Sequence, residues 1–137
     1  CYTDAGNTTA DYVDYPVIVR ASSLVDLDSV SIVHTAGVSV AGAWVAPAPA
    51  DAGTGLVAGW PPPSILTQSN TVQWSKRVTA AGAALDQGAS YNVFLHLVVD
   101  PTQLPAKTTG LVFTYHDQAG SGSVTWVDHV TFKVSCG

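Results

Sequence analysis

The sequence contains no glutamate and no methionine, and it has only five lysine and arginine residues among 137. Several residue types that favour α-helices are therefore missing or rare. Valine, threonine and serine are common instead, and branched side chains pack well on the pleated surface of a sheet. This balance predicts an all-β protein without long helices.

Positive charge is also scarce, because the ten acidic residues, all aspartate, give a net charge of −5. Nucleic-acid binding depends on basic surface and is excluded as a function. No apolar run approaches the ~20 residues of a membrane-spanning helix, so no transmembrane segment is expected. With 47% hydrophobic and 11% charged residues, disorder is not expected. The length predicts one domain over 1–137.

Only two cysteines are present, Cys1 and Cys136. A disulfide between them would close a very long loop, worth ~4–5 kcal/mol in the chain-entropy model, and would indicate an oxidising compartment. In the alternative, Cys1 carries a lipid anchor and Cys136 is left as an odd thiol. We expect the disulfide, in a secreted or cell-surface protein whose targeting segment has been removed. Asn7 begins an Asn-Thr-Thr sequon and is a candidate for glycosylation.

Short segments of alternating apolar and polar residues recur along the chain, separated by turn residues. The clearest runs from Tyr91 to Val99, and no helical alternation lies between the segments. Such a pattern is typical of a β-sandwich or small barrel of seven or eight strands. The predicted strands lie within 16–20, 30–34, 38–45, 56–58, 72–78, 91–99, 111–115 and 124–134.

The segment Leu85-Asp86-Gln87-Gly88-Ala89-Ser90-Tyr91 resembles the tyrosine corner of immunoglobulin-like and fibronectin-III-like sandwiches. In those folds a glycine-containing turn precedes a tyrosine that bonds back to the turn backbone. The resemblance implies a single antiparallel β-sandwich of about seven to eight strands, of the kind found in small secreted bacterial proteins. Val93 stands where antibody domains carry their second cysteine, so their inter-sheet disulfide is not implied.

The sequence contains only weak matches to known catalytic motifs. Gly53 to Ala58 spells G-x-G-x-x-A, but the prolines around it prevent the helix that a dinucleotide site requires. The nucleophile elbow G-x-S-x-G is absent. Asp26 and Asp28 lie two residues apart, as a carboxylate pair or calcium ligands would, but aspartate is also an ordinary turn residue. The sequence predicts a non-catalytic protein without a cofactor.

Four histidines raise the question of a metal site. His116 and His129 would lie too far apart along a hairpin that turns at 118–122, in which His116 lies near Val124. His96 and His116 come nearest to a shared site if the chain forms a hairpin around Asp100. Since soft copper ligands are lacking, we expect no metal, with His96 and His116 as the remaining candidates.

Four tryptophans are many for this length. Trp74 and Trp126 fall in predicted strands and are expected in the core. Trp60 instead lies in a Pro/Gly/Ala-rich loop excursion over 46–64, directly before Pro61, Pro62 and Pro63. Prolines stiffen such a segment, so Trp60 and the three prolines are the predicted partner contact. The alternative is a lid in which Trp60 covers one end of the core.

These observations favour a secreted structural or protein-interaction module that contacts a protein partner or a second copy of itself at a cell surface. The alternative is a ligand-binding module for carbohydrate or a metal ion. An enzyme is the least favoured class.

Overall fold

A computed structural model describes residues 2–3, 10–14, 18–20, 22–34, 36–48, 56–61 and 74–135. This part of the chain contains strands and two short 3-10 turns but no α-helix, so the all-β prediction is confirmed. Within the same residues, no helix has the length and apolar character to span a membrane. The strands are β1 (Tyr2–Thr3), β2 (Ala10–Asp14), β3 (Ile18–Arg20), β4 (Val25–His34), β5 (Val38–Pro47), β6 (Leu56–Ala58), β7 (Val78–Thr79), β8 (Ala84–Leu85), β9 (Ser90–Val99), β10 (Ala106–Asp117) and β11 (Gly120–Lys133).

The strands form two sheets. Sheet 1 has the order β1-β11-β10-β4-β8, and sheet 2 has the order β6-β2-β9-β5-β7, with β3 also paired to β9. Apart from the parallel pairing of β1 with β11, the described strands pair in antiparallel fashion. The predicted antiparallel two-sheet architecture is therefore confirmed.

The core lies between the inner faces of the two sheets. Alternation places Val93, Leu95, Leu97 and Val99 of β9 on one side of this core, and all four are fully buried. Sheet 1 contributes its own inward side chains. They are Val25, Leu27, Val30, Ile32, Ala106, Leu111, Phe113, Val130 and Phe132.

The turn before β9 is closed by a hydrogen bond between its backbone and Tyr91. The Asp86 N–H donates a hydrogen bond to the Tyr91 hydroxyl at 3.1 Å, and Leu85 is fully buried beside the turn. Gly88 has φ +75°, a conformation that glycine adopts without strain. The sequence prediction of this local contact is confirmed, with the backbone acting as donor rather than acceptor.

The connection from β9 to β10 crosses between the sheets. Asp100 caps a 3-10 turn over Pro101–Gln103, and its carboxylate accepts hydrogen bonds from the Thr102 hydroxyl and backbone and from the Gln103 amide. Those hydrogen bonds, the Thr102 hydroxyl first, lower the pKa of Asp100. The expectation of a hairpin around Asp100 is therefore wrong, because this turn sends the chain to the other sheet.

The hairpin of β10 and β11 turns earlier than the sequence suggests. Asp117 accepts hydrogen bonds from the Ala119 and Gly120 N–H groups, which fixes the turn at 118–119. His116 consequently pairs with Ser121 rather than lying near Val124. The aspartate side chain determined the register, where the sequence analysis relied on the glycines alone.

The 72–78 segment also differs from its predicted strand. In its described part, Trp74–Lys76 forms a 3-10 turn and only Val78 belongs to a strand, β7. The central strand β9 nevertheless lies over 90–99, close to its predicted range. An open cleft of about 460 Å³ separates β4 from β5 on one side of the sandwich.

Candidate functional site

The outer face of sheet 2, which points away from the core, carries a second apolar cluster. The residues of β9 that alternate with its core positions are Asn92, Phe94 and His96, and Phe94 is almost completely buried. Trp44 of β5 pairs with Phe94 and therefore lies on the same face. We call the set Trp44, Trp60, Trp74, Phe94 and His96 the aromatic platform.

Gly42 makes room for the first ring of this platform. A Cβ at Gly42 would lie far inside van der Waals contact of the outer edge of the Trp44 indole. The indole therefore lies directly over the glycine backbone, next to the position where Gly42 pairs with His96. Glycine in a strand interior often marks such a close approach.

Trp60 reaches the platform from the edge of the sheet. Strand β6 pairs with β2, and Gly59, at φ +106°, turns the chain directly before the tryptophan. The Trp60 ring stacks on Trp44 at 4.8 Å and on His96 at 4.2 Å, the latter pair nearly parallel. These offset contacts between flat rings fix Trp60 against the sheet.

Trp74 closes the platform from the 3-10 turn. Its ring meets Trp60 edge-on at 6.0 Å and Phe94 edge-on at 4.8 Å. The Arg77 guanidinium lies 4.2 Å from the centre of the Trp74 ring and donates a hydrogen bond to the Trp74 carbonyl at 3.3 Å. This cation–π contact puts a fixed positive charge at the exposed rim of an otherwise apolar cluster.

The predicted partner contact thus falls within an organised site. Trp60 is half-buried and Pro61 is exposed, and Trp60 covers the outer face of sheet 2 rather than an end of the inter-sheet core. Pro62 and Pro63 lie outside the described residues, as do Cys1, Cys136 and Asn7. Gly42, Trp44 and Arg77 were not among the predicted site residues. The signal available for Trp44 was its place at an outward position of a strand otherwise filled with small residues.

The prediction for Trp126 is wrong. It pairs with the buried Leu111, so it points to the inner side of sheet 1, yet it is 50% exposed. Val124, on the same side of β11, is 53% exposed. The inner side of sheet 1 extends beyond the area that sheet 2 covers at this point, which an alternating pattern alone does not indicate.

Asn92 lies beside the platform and is fully buried. It pairs with Ala46 on the outer face of sheet 2. Neither the nitrogen nor the oxygen of its side-chain amide has a hydrogen-bond partner among the described residues. A buried amide without partners costs about 1–3 kcal/mol, so this position reduces the stability of the fold.

A separate cluster of polar side chains lies on sheet 1. His116 Nδ1 is 2.6 Å from a carboxylate oxygen of Asp28, and its Nε2 is 3.5 Å from Asp26. Asp26 and Asp28 do converge, as the sequence suggested, but each ring nitrogen of His116 faces a carboxylate. Neither nitrogen is directed at a hydroxyl nucleophile, so this arrangement does not build a serine–histidine pair.

The two histidines considered for a metal do not meet. His96 lies on β9 of sheet 2 within the platform, whereas His116 lies on β10 of sheet 1. In the described part of the chain, no three histidine, cysteine or acidic residues are arranged to hold a metal ion.

No protein-family model matches this chain, and no curated protein or solved structure matches it either. The aromatic platform, built from three tryptophans with an arginine at its rim, is the best-defined candidate site. It presents apolar rings and one cation, which are side-chain types enriched at binding surfaces.

Proposed function

We propose that this chain is a non-catalytic, extracellular β-sandwich that acts as a structural or protein-interaction module and contacts its partner through the aromatic platform. The observation that carries the proposal is the packing of Trp44, Trp60 and Trp74 on the outer face of sheet 2 with Arg77 at the rim. Tryptophan and arginine are the residues most enriched among interface hot spots. Held rigidly, such side chains lose little conformational entropy on binding.

Carbohydrate binding, the alternative, needs a free indole face on which a sugar ring can stack. Here the Trp60 ring is engaged by Trp44 and His96, and the Trp74 ring carries the Arg77 guanidinium. The Trp44 indole has its outer edge against Gly42 and stacks on Trp60. These contacts leave less indole face for a sugar ring, and the Arg77 guanidinium and the exposed Pro61 at the rim suit a protein surface.

Within this proposal the sandwich is immunoglobulin-like. The bond between Asp86 and Tyr91 supports that assignment, as do the two sheets packed around one core. Secretion fits the proposed disulfide between Cys1 and Cys136. Thiol titration of the denatured, unreduced protein from its natural source should find no free thiol, whereas two free thiols would exclude the disulfide.

The platform is tested by placing a photo-crosslinking amino acid at Pro61, which is exposed at the rim. The matched control carries the same group at Leu24, which is exposed elsewhere on the chain. In extracellular material from the natural source, the Pro61 probe should give a discrete protein adduct that disappears when Arg77→Ala is added. Identical adducts from both positions, or no protein adduct from Pro61, would refute the platform as the partner contact.

Glycan binding is examined separately by titrating glycans against the intrinsic tryptophan fluorescence. A saturable shift that Trp74→Ala abolishes would replace the protein-interaction proposal with the carbohydrate alternative.

A further inference from the structure

Strand β11 has one edge that is largely unpaired. Its first edge pairs with β10 along nearly its whole length. On its other edge, β1 pairs only with Phe132 and Lys133, and no other described strand pairs there. The backbone N–H and C=O groups that point outward from Gly120–Thr131 are therefore available to another strand.

The first part of this edge lacks the devices that usually block strand addition, because the β-bulge and the charged Asp128 come only after Val127. The segment Gly120–Val127, which we call the edge segment, contains no charged residue and no proline. It instead exposes large apolar side chains: Val124, Trp126 and Val127 are 53%, 50% and 67% exposed. Proteins commonly protect an edge with charge, proline or very short strands, and none of these protects the edge segment.

We propose that the edge segment is a self-association surface, on which β11 of a second copy of this chain pairs in antiparallel fashion across a two-fold axis. Sheet 1 of one copy and sheet 1 of the other would then form one continuous sheet. A two-fold interface brings the same patch of each copy together. The contact surface is therefore distinct from the aromatic platform on sheet 2, and the proposal does not depend on it.

The charge distribution supports a second copy as the occupant. The chain has a net charge of −5, so two copies repel each other wherever their aspartates meet. The edge segment contains none of them, and antiparallel pairing within it places no like charges opposite each other. It also offers no charge that would select a basic or acidic peptide. By contrast, the uncovered part of β4 carries Asp28 and His34, which oppose self-pairing.

The exposed apolar side chains also favour a second copy as the occupant. Val124 and Trp126 point to the inner side of sheet 1, where sheet 2 does not cover them. In an antiparallel pair, the equivalent valine and tryptophan of the second copy lie on that same side. Cross-strand aromatic and branched pairs stabilise a sheet, so self-pairing covers apolar surface that is open in a single copy.

Sedimentation velocity of the full chain over a range of concentrations tests the proposal, with Val124→Lys as the variant. The control Val78→Lys makes the same change at a valine of equal exposure, 53%, on β7 of sheet 2. We expect the wild type to dimerise reversibly, Val124→Lys to raise the dimer dissociation constant at least tenfold, and Val78→Lys to leave it nearly unchanged. Circular dichroism confirms that both variants are folded.

A wild type that stays monomeric at its highest soluble concentration would overturn the proposal, as would equal weakening by the two lysine variants. Amide hydrogen exchange of the wild type gives a readout that needs no variant. Protection of amides within 120–131 should increase with protein concentration. An increase confined to other segments would locate the dimer elsewhere and refute the proposal.

Discussion

Trp60 and Trp126 lie in contrasting surroundings. Trp60 comes from a proline-rich segment, yet it is half-buried and contacts the rings of Trp44, Trp74 and His96. Trp126 lies in a long regular strand, yet it is half exposed and touches no other aromatic ring in the described part of the chain. The comparison teaches that regular secondary structure does not ensure burial. Burial depends on whether another layer covers that part of the sheet.

The largest effect on stability is expected among the inward-facing side chains of β11, which sheet 2 covers at one end of the strand but not at the other. Phe132 is fully buried, whereas Trp126 is half exposed on the same side of the same strand. Phe132→Ala should lower the free energy of unfolding by about 3–5 kcal/mol. Trp126→Ala should change it by no more than about 0.5 kcal/mol in dilute, monomeric protein. Urea unfolding measures both, and similar losses would show that Trp126 is covered after all.

Trp60→Ala should have an intermediate effect, a loss of about 2 kcal/mol, because a half-buried indole loses its apolar contacts and its ring stacking. Gly42→Ala is the companion variant, since its new methyl group displaces Trp44 and loosens the same stack. Both variants should shift the urea midpoint and alter the near-ultraviolet circular dichroism of the tryptophans. An unchanged spectrum for Trp60→Ala would mean that Trp60 does not stack on the platform in solution.

A smaller change of opposite sign is expected beside the platform. Asn92→Leu replaces a buried amide that has no partner among the described residues with an apolar group of similar size, so the free energy of unfolding should rise by about 1 kcal/mol. The control Asn92→Asp introduces a charge at the same position and should be destabilising. Thermal denaturation distinguishes the two, and a lower midpoint for Asn92→Leu would reveal a hydrogen-bond partner for the amide.

The smallest effect belongs to the turn that leads into the central strand. Tyr91→Phe removes the acceptor of the Asp86 N–H. Since Asp86 is exposed, water can replace the lost bond, and we expect a loss of about 0.5–1 kcal/mol. The measurement is the urea midpoint at constant denaturant slope. An unchanged midpoint would show that the hydroxyl contributes nothing to the corner.

Sequence reasoning succeeded where neighbouring residues determine the structure. The alternation in β9 defined one core face, and the Leu85–Tyr91 pattern predicted a contact that spans only five residues. It failed where the structure depends on contacts between segments that are distant in sequence. The exposure of Trp126 depends on how far sheet 2 extends, and the separation of His96 from His116 depends on Asp100 directing the chain between sheets. The platform itself joins β5, β6, the 3-10 turn and β9, which are far apart in sequence.

The pairing of β1 with β11 has a consequence for the order of folding. Every strand of sheet 2 lies before Asp100, so this sheet can assemble while the chain is still being synthesised. Sheet 1 needs β10 and β11, and β1 must then pair with Phe132, which lies far from it in sequence. Such long-range closure is slow. Until then Val93, Leu95 and Leu97 lack the part of their opposing layer that β10 and β11 supply, and we expect a protease-sensitive, chaperone-binding intermediate until those strands have paired.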